Sequence, residues 1–350
     1  MKQPPGAPKS ELYTLKQTDF AGRAVFATKF IPAGTPLLST RPPHITVILR
    51  EYRKEVCAQC FAYDRGREWK IRNSSIGFVF CSKTCQRQWR EEVGELGFAA
   101  WQTVESFIQG SLKNKPRDED DLPDADARKP TPDEIVDVWA KGDEKAQMIL
   151  KLRREQPNSK AANRAITKAL AKLPAPDIIP LLLSGLLLYI RNPDEWQEHA
   201  QLAIDTQPYG SAEILEQHVQ SLHQLVALLP PEIIPSNVAE ILQDTLKHEM
   251  HNSFGIRSLD DEGDEFFGYG VWTEASYNNH SCHPNIAKKR VGPSWHFWAD
   301  RDVQPGEELS ISYLGGEEKE LNVLQRRARL KEIWGFECAC VKCIEEAGLD

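Results

Sequence analysis

The sequence predicts an α+β protein, a β-rich fold split by a zinc-finger insertion and a helical insertion, with a zinc-bound tail. Three observations carry that expectation. Short β-like runs dominate the first 50 residues and those beyond Met250, whereas helix signals fill the interval between them. The eight cysteines form two tight groups and one outlier, which is the spacing of metal ligands rather than of a disulfide framework. A pattern near the start of the chain also returns near its end. Ala27 to Leu37 and Ala299 to Leu309 share A-x-[KR]-x-[IV]-x-x-G-x-x-L, which places Gly34 and Gly306 in tight turns between strands. With helices between the two copies, one β-domain interrupted by an insertion is the economical arrangement.

The elements follow in order. Leu12 to Val47 holds the runs Ala24-Val25-Phe26 and Pro36-Leu37-Leu38, punctuated by Gly22 and by the turn Pro32-Ala33-Gly34. Cys57-x2-Cys60 and Cys81-x3-Cys85 supply four thiolates at structural-zinc spacing, with Ser82 as N-cap of a helix that carries Cys85 in its first turn. Lys113 to Pro130, with Asp118-Glu119-Asp120-Asp121, can bury almost nothing and reads as a loop. Thr131-Pro132-Asp133-Glu134 combines an N-cap, a first-turn proline and a capping-box glutamate, and Asn192-Pro193-Asp194-Glu195 repeats the signature. Leu215, Val219, Leu222, Val226 and Leu229 fall on one helical face, a core stripe. Ile178 to Ile190 is apolar but too short to span a bilayer, and reads as buried helix. Strands are expected again at Val271 to Tyr277, Trp295 to Ala299 and Glu308 to Tyr313.

Composition narrows the function. A net charge of −8 argues against nucleic acid as the main partner and suits a basic one. Met1 to Ser10 shows no secretory signal, and paired free cysteines belong to a reducing compartment, so an intracellular protein of nucleus and/or cytoplasm is expected. The run Lys288-Lys289-Arg290 is too short to decide between the two.

Cys338-x-Cys340-x2-Cys343 places three thiolates within six residues, one short of a tetrahedral set, and Cys282 is the one cysteine left to complete it. Two zinc sites of four thiolates each are therefore expected. Closing the second would pin the tail, with Trp334 and Phe336, onto the Asn279-His280 loop.

Asn279-His280-Ser281-Cys282-His283-Pro284-Asn285 closely resembles the N-H-S-C-x-P-N signature of SET-domain lysine methyltransferases. Gly306-Glu-Glu-Leu-Ser-Ile-Ser-Tyr313 resembles that family's G-E-E-L-x-x-x-Y strand, Cys338 to Cys343 its post-SET cluster, and Gly22-Arg-Ala-Val-Phe-Ala27 its opening strand. Phe80 to Trp89 resembles the end of a MYND finger, but the second ligand set of that finger is missing. The resemblance is to the SMYD-like (SET and MYND) branch, with a half-MYND finger. It implies SET segments at residues 1–50 and 251–316, the finger at 51–92, the helical insertion at 93–250 with its acidic loop near 113–130, and the post-SET zinc tail at 317–350.

The implied activity is methyl transfer from S-adenosylmethionine to a lysine of another protein, a histone among the candidates, by a monomer without nucleic-acid or membrane partners. Such transfer needs alignment of a deprotonated amine, and an apolar aromatic channel favours the neutral form. The resemblance makes Tyr313 the catalytic tyrosine and Phe254, Tyr277 and Trp334 channel candidates. Asn279 and His280 would hold the cofactor with Tyr313, above a ledge of Gly22, Arg23 and Ala24 and with Phe336 against its adenine. The loop before that ledge carries one glycine, Gly22, where relatives often carry two. The rival expectation is a catalytically weak or inactive SET-fold protein that serves as a peptide-binding interaction module.

Overall fold

A computed structural model describes residues 3–19, 21–113, 128–259, 265–315, 318 and 320–348. Most of the expected acidic loop (114–127), and Phe20 beside the glycine loop, lie outside the described residues. The chain divides into two compact units. One comprises Met1–His44, Gln197–Ala203 and Met250–Asp350; the other comprises Ile45–Trp196 and Ile204–Glu249.

The first unit gathers both ends of the chain, as the repeated pattern requires. It holds β1 (Tyr13–Gln17), β2 (Arg23–Ala27) and β3 (Pro36–Ser39) from the N-terminal part. From the C-terminal part come β7 (Ser253–Arg257), β8 (Phe266–Val271), β9 (Ile286–Val291), β10 (Ser294–Ala299), α8 (Val323–Trp334) and α9 (Val341–Glu346). The second unit holds β4 (Ile45–Ile48), the hairpin of β5 (Ile71–Asn73) and β6 (Phe78–Phe80), and helices α1 (Lys83–Lys113), α2 (Pro132–Glu155), α3 (Lys160–Leu170), α4 (Ile178–Arg191) and α6 (Ala212–Leu228). Two further helices, α5 (Pro193–His199) and α7 (Val238–Asn252), run across the boundaries between the units.

The two copies of the repeated pattern bond to each other in a reciprocal arrangement. Gly306 N–H donates to the Ala27 carbonyl, and Gly34 N–H to the Ala299 carbonyl, both at 2.8 Å. At the centre Ile31 and Val303 exchange both backbone bonds, at 3.0 and 2.9 Å, and both side chains are fully buried. Gly34 and Gly306 sit at φ +79° and +87°, each at the third position of a turn whose ends are bonded. A left-handed backbone there carries almost no cost only for glycine. Antiparallel pairing of β1 with β2, β3 with β10, β9 with β10, and β7 with β8 completes the sheets of this unit.

Two expected strands differ. Val271 ends β8, and Thr273 to Tyr277 turns into a short 3-10 helix at Ala275–Tyr277. The Ser276 hydroxyl and amide both bond the Trp272 carbonyl, which draws the chain into a turn despite its β-favouring residues. Glu308 to Tyr313 is extended but threads between two segments, touching Phe26 through Glu308 and His280 through Ile311 as isolated bridges. Lys288-Lys289-Arg290 lies inside β9, with Arg290 buried.

The second unit is helical around its finger. Thr131 accepts from the Glu134 amide and Glu134 closes the capping box, and the stripe from Leu215 to Leu229 is buried. α4 is buried along most of its length, and no helix among the described residues is long and apolar enough to cross a membrane.

Candidate active site and metal centres

In the finger, Cys57 is drawn to β6 by a bridge with Val79, and Cys60 lies in the tight loop that Phe61 and Ala62 close by bonding back to Cys57. Cys81 follows β6 directly. Cys85 sits in the first turn of α1, where the Ser82 hydroxyl accepts its amide at 3.1 Å. The four sulfurs lie within 4.8 Å of one another, with Cys60–Cys81 and Cys81–Cys85 at 3.5 Å, and none is in a disulfide. Ligands about 2.3 Å from a tetrahedral zinc stand about 3.8 Å apart. The set therefore fits zinc with little movement. A hydrogen bond from Cys60 lowers the pKa of the Cys57 thiol, and the same bond raises that of Cys60, so the pair favours a thiolate at Cys57 first.

Cys282, Cys338, Cys340 and Cys343 form the second set, again within 4.8 Å, with Cys282 3.9 Å from Cys338 and 3.5 Å from Cys343. The sequence separates Cys282 from the others by more than fifty residues, and the tail folds back to join them. Adjacent arginines of α8 secure that closure. Buried Arg326 donates to the Cys343 sulfur at 3.7 Å and to Glu346 at 2.6 Å, while Arg327 donates to the carbonyls of Cys338 and Cys343 at 3.0 and 3.2 Å. Four thiolates around one zinc ion would carry two net negative charges, which the Arg326 guanidinium would partly offset.

The closed tail builds an aromatic group around the expected catalytic tyrosine. The Tyr313 ring lies 5.3 Å from Trp334, 6.3 Å from Phe336 and 5.3 Å from His280, and Phe336 lies 6.0 Å from His280. Leu314, Leu330, Cys338 and Cys343 pack behind them. The Tyr313 hydroxyl donates to the Asn278 carbonyl at 3.0 Å. Burial, with the Glu308 carboxylate adding to it, raises the tyrosine's pKa, so the hydroxyl keeps its proton.

Asn279 ties this group to the N-terminal ledge. Its side-chain amide donates to the Arg23 carbonyl at 3.2 Å and to Glu308 at 3.0 Å. Gly22 opens the ledge at φ +66°, with no atom within 4 Å of where a β-carbon would stand, and Ala24 is fully buried in β2. Asn285 clamps the strand to Tyr313 from the other side, donating to the Glu308 carbonyl and accepting from the Ser310 amide, both at 2.9 Å.

The other two channel candidates make their ring contacts with other residues. Tyr277 is buried, and its hydroxyl donates to the Pro5 carbonyl at 3.3 Å while the Arg23 guanidinium lies 5.1 Å over its ring. Arg23 itself donates to the Gln201 carbonyl. Phe254 joins a separate group, 5.6 Å from Trp295 and 6.2 Å from Trp272, with the Lys288 ammonium 5.9 Å from its ring. Lys288 also donates to the carbonyl of Ser312, next to Tyr313. Sequence reasoning passed over Pro5, Gln201, Trp272, Trp295 and the inward-facing Lys288. Alternation in β9 was the one available signal, since it puts Lys288 on the face of Ile286 and Arg290.

A family model described as the SET domain matches residues 22–314. A Saccharomyces cerevisiae protein named potential protein lysine methyltransferase SET6 is 27% identical over 96% of this chain and 96% of its own length. Shorter matches include human histone-lysine N-methyltransferase SMYD3, 38% identical over 22% of this chain and 17% of that protein. Human protein-lysine N-trimethyltransferase SMYD5 is 38% identical over 23% of this chain and 20% of that protein.

Proposed function

The chain belongs to the SET-domain family, and from that premise we propose that it is an S-adenosylmethionine-dependent protein-lysine N-methyltransferase that transfers methyl in line to an amine held among aromatic rings. The observation that carries this reading is the placement of Tyr313 beside His280, Trp334 and Phe336, with Asn279 bonded to the ledge at Arg23. A full-length relative named as a potential lysine methyltransferase supports it.

The residues present fit the cofactor. Gly22 leaves open space above a bare backbone, Asn279 fixes the neighbouring strand, and Phe336 with His280 offers aromatic faces for a purine. When bound, the cofactor supplies a methyl already activated on a sulfonium. The chain's own task is to present a neutral amine to it. Aromatic walls desolvate a lysine side chain and favour loss of its ammonium proton. The Tyr313 hydroxyl has committed its proton to the Asn278 carbonyl, so its lone pairs are free to accept an N–H from the incoming amine. That bond turns the nitrogen lone pair away from the tyrosine and fixes its direction. The two thiolate sets would hold zinc in a structural role, and in the second set the metal would keep Cys282 joined to the tail that carries Trp334 and Phe336.

The substrate is a protein with an exposed lysine, with basic proteins such as histones favoured by the net charge of −8. The enzyme acts as a monomer in the nucleus and/or cytoplasm. Incubation of the pure, zinc-loaded protein with methyl-labelled cofactor and a cell extract tests the reading. Labelled lysine in acid hydrolysates is the expected result. Cofactor binding with no labelled protein would instead favour a peptide-binding module.

A further inference from the structure

One imidazole touches both the second thiolate set and the tyrosine strand. His280 Nδ1 accepts from the Tyr313 amide at 3.0 Å, and its Nε2 lies 3.2 Å from the Cys282 sulfur. A backbone amide only donates, so Nδ1 carries the lone pair and the proton of the neutral ring stands on Nε2, aimed at the sulfur. A thiolate accepts that proton better than a thiol does, and metal ligation makes Cys282 a thiolate. Tyr313 and Phe336, at 5.3 and 6.0 Å, flank the ring.

We propose that His280 is a positioning residue that couples the C-terminal metal centre to Tyr313: its imidazole spans the Cys282 sulfur and the Tyr313 amide, so that ligation of Cys282 fixes the place of the ring and the ring fixes the backbone that carries the tyrosine. The proposal rests on the reading of Tyr313 as the catalytic tyrosine and concerns the His280 side chain, apart from any cofactor contact.

The two halves of the coupling can be cut separately. His280→Asn keeps an acceptor near Nδ1 but falls short of the sulfur, whereas His280→Gln reaches the sulfur with a donor and leaves the Tyr313 amide unbonded. The probe is the full chain loaded with cadmium-113 in both thiolate sets. The C-terminal signal, identified by its loss in Cys340→Ser, is expected to move in His280→Asn while the finger signal stays. In protein labelled with nitrogen-15 at tyrosine, the Tyr313 amide is expected to shift between zinc and cadmium forms of the wild type and to lose that response in His280→Asn. Turnover at saturating cofactor should fall about ten- to a hundredfold in both variants.

A Tyr313 amide that follows the metal equally in wild type and His280→Asn overturns the proposal, because the influence then passes through the packed tail. Should the variants fail to fold, nitrogen-15 histidine shifts of the wild type decide, and a proton on Nδ1 overturns it. A wild type that shows the coupling but transfers no methyl sinks the enzymatic reading and supports the coupling.

Discussion

Tyr313 is held by three independent constraints: its hydroxyl on the Asn278 carbonyl, its amide on His280, and its ring against Trp334 and Phe336. Tyr313→Phe removes only the first and little volume, so the fold should persist. Turnover should nevertheless drop at least about tenfold, roughly 1.4 kcal/mol of transition-state stabilisation. Mass spectrometry of total methyl transfer, beside calorimetric cofactor binding, checks this. Equal rate and product state in the variant would remove Tyr313 from the catalytic role. The motif made this residue legible, and the tail cysteines put Trp334 and Phe336 near it, but the bonds that hold it were not legible. Asn278 and His280 lie more than thirty residues away, and a sequence does not show which carbonyl a hydroxyl will meet.

The two thiolate sets look alike as elements yet serve different neighbours. The finger closes around β6 and the start of α1, whereas the tail set packs directly behind Tyr313, Trp334 and Phe336. Cys340→Ser should therefore cost more activity than Cys60→Ser in folded protein, and parallel assays of the two at matched solubility would show it. Comparable losses would mean that the finger shapes the site as closely as the tail does. Close packing within the helical unit is equally specific. A β-carbon added at Gly185 of α4 would stand 2.2 Å from the Thr245 hydroxyl of α7. Gly185→Ala should destabilise by about 1–3 kcal/mol, read from urea unfolding midpoints, because a packed helix pair has no room to yield. In the sequence this glycine stands inside the apolar run from Ile178 to Ile190. In the fold it is what lets two helices approach.

At the scale of the molecule, metal content and pH response follow from burial. The eight cysteines form two sets of four, each the number a tetrahedral site needs, so metal-replete protein should contain two zinc ions per chain by elemental analysis. One or three would break the assignment. Burial lowers the pKa of both His218 and His223 to about 4, and in His223 a bond to the Gly142 carbonyl partly opposes it. The unfolded chain then binds more protons than the folded one between about pH 4 and pH 6.5. Stability from these groups is full above the unfolded value near 6.5 and is lost as pH falls toward 4, by on the order of a few kcal/mol. Thermal melts across that window should fall with acid. His218→Gln should flatten the slope by about one proton, and an unchanged slope would place the acid sensitivity elsewhere.

The sequence by itself determined the class of the fold, the division of its cysteines and the identity of the central tyrosine. Those features are local: ligand spacing, capping chemistry and the eight-residue motif that ends at Tyr313 are set by neighbours along the chain. The repeated pattern around Gly34 and Gly306 was also legible, and it marked segments that belong together. Only the tertiary structure decided that the two copies bond reciprocally to each other, with Ile31 facing Val303 across the join. It also decided the company that Tyr277 and Phe254 keep. Trp334 meets Tyr313 because closure of the tail brings α8 there, whereas the Tyr277 hydroxyl meets Pro5, and Phe254 sits with Trp272 and Trp295. The physical reason is that aromatic burial is non-directional along the sequence. A ring has the same propensity to be covered wherever it stands, and the paths of distant segments choose what covers it.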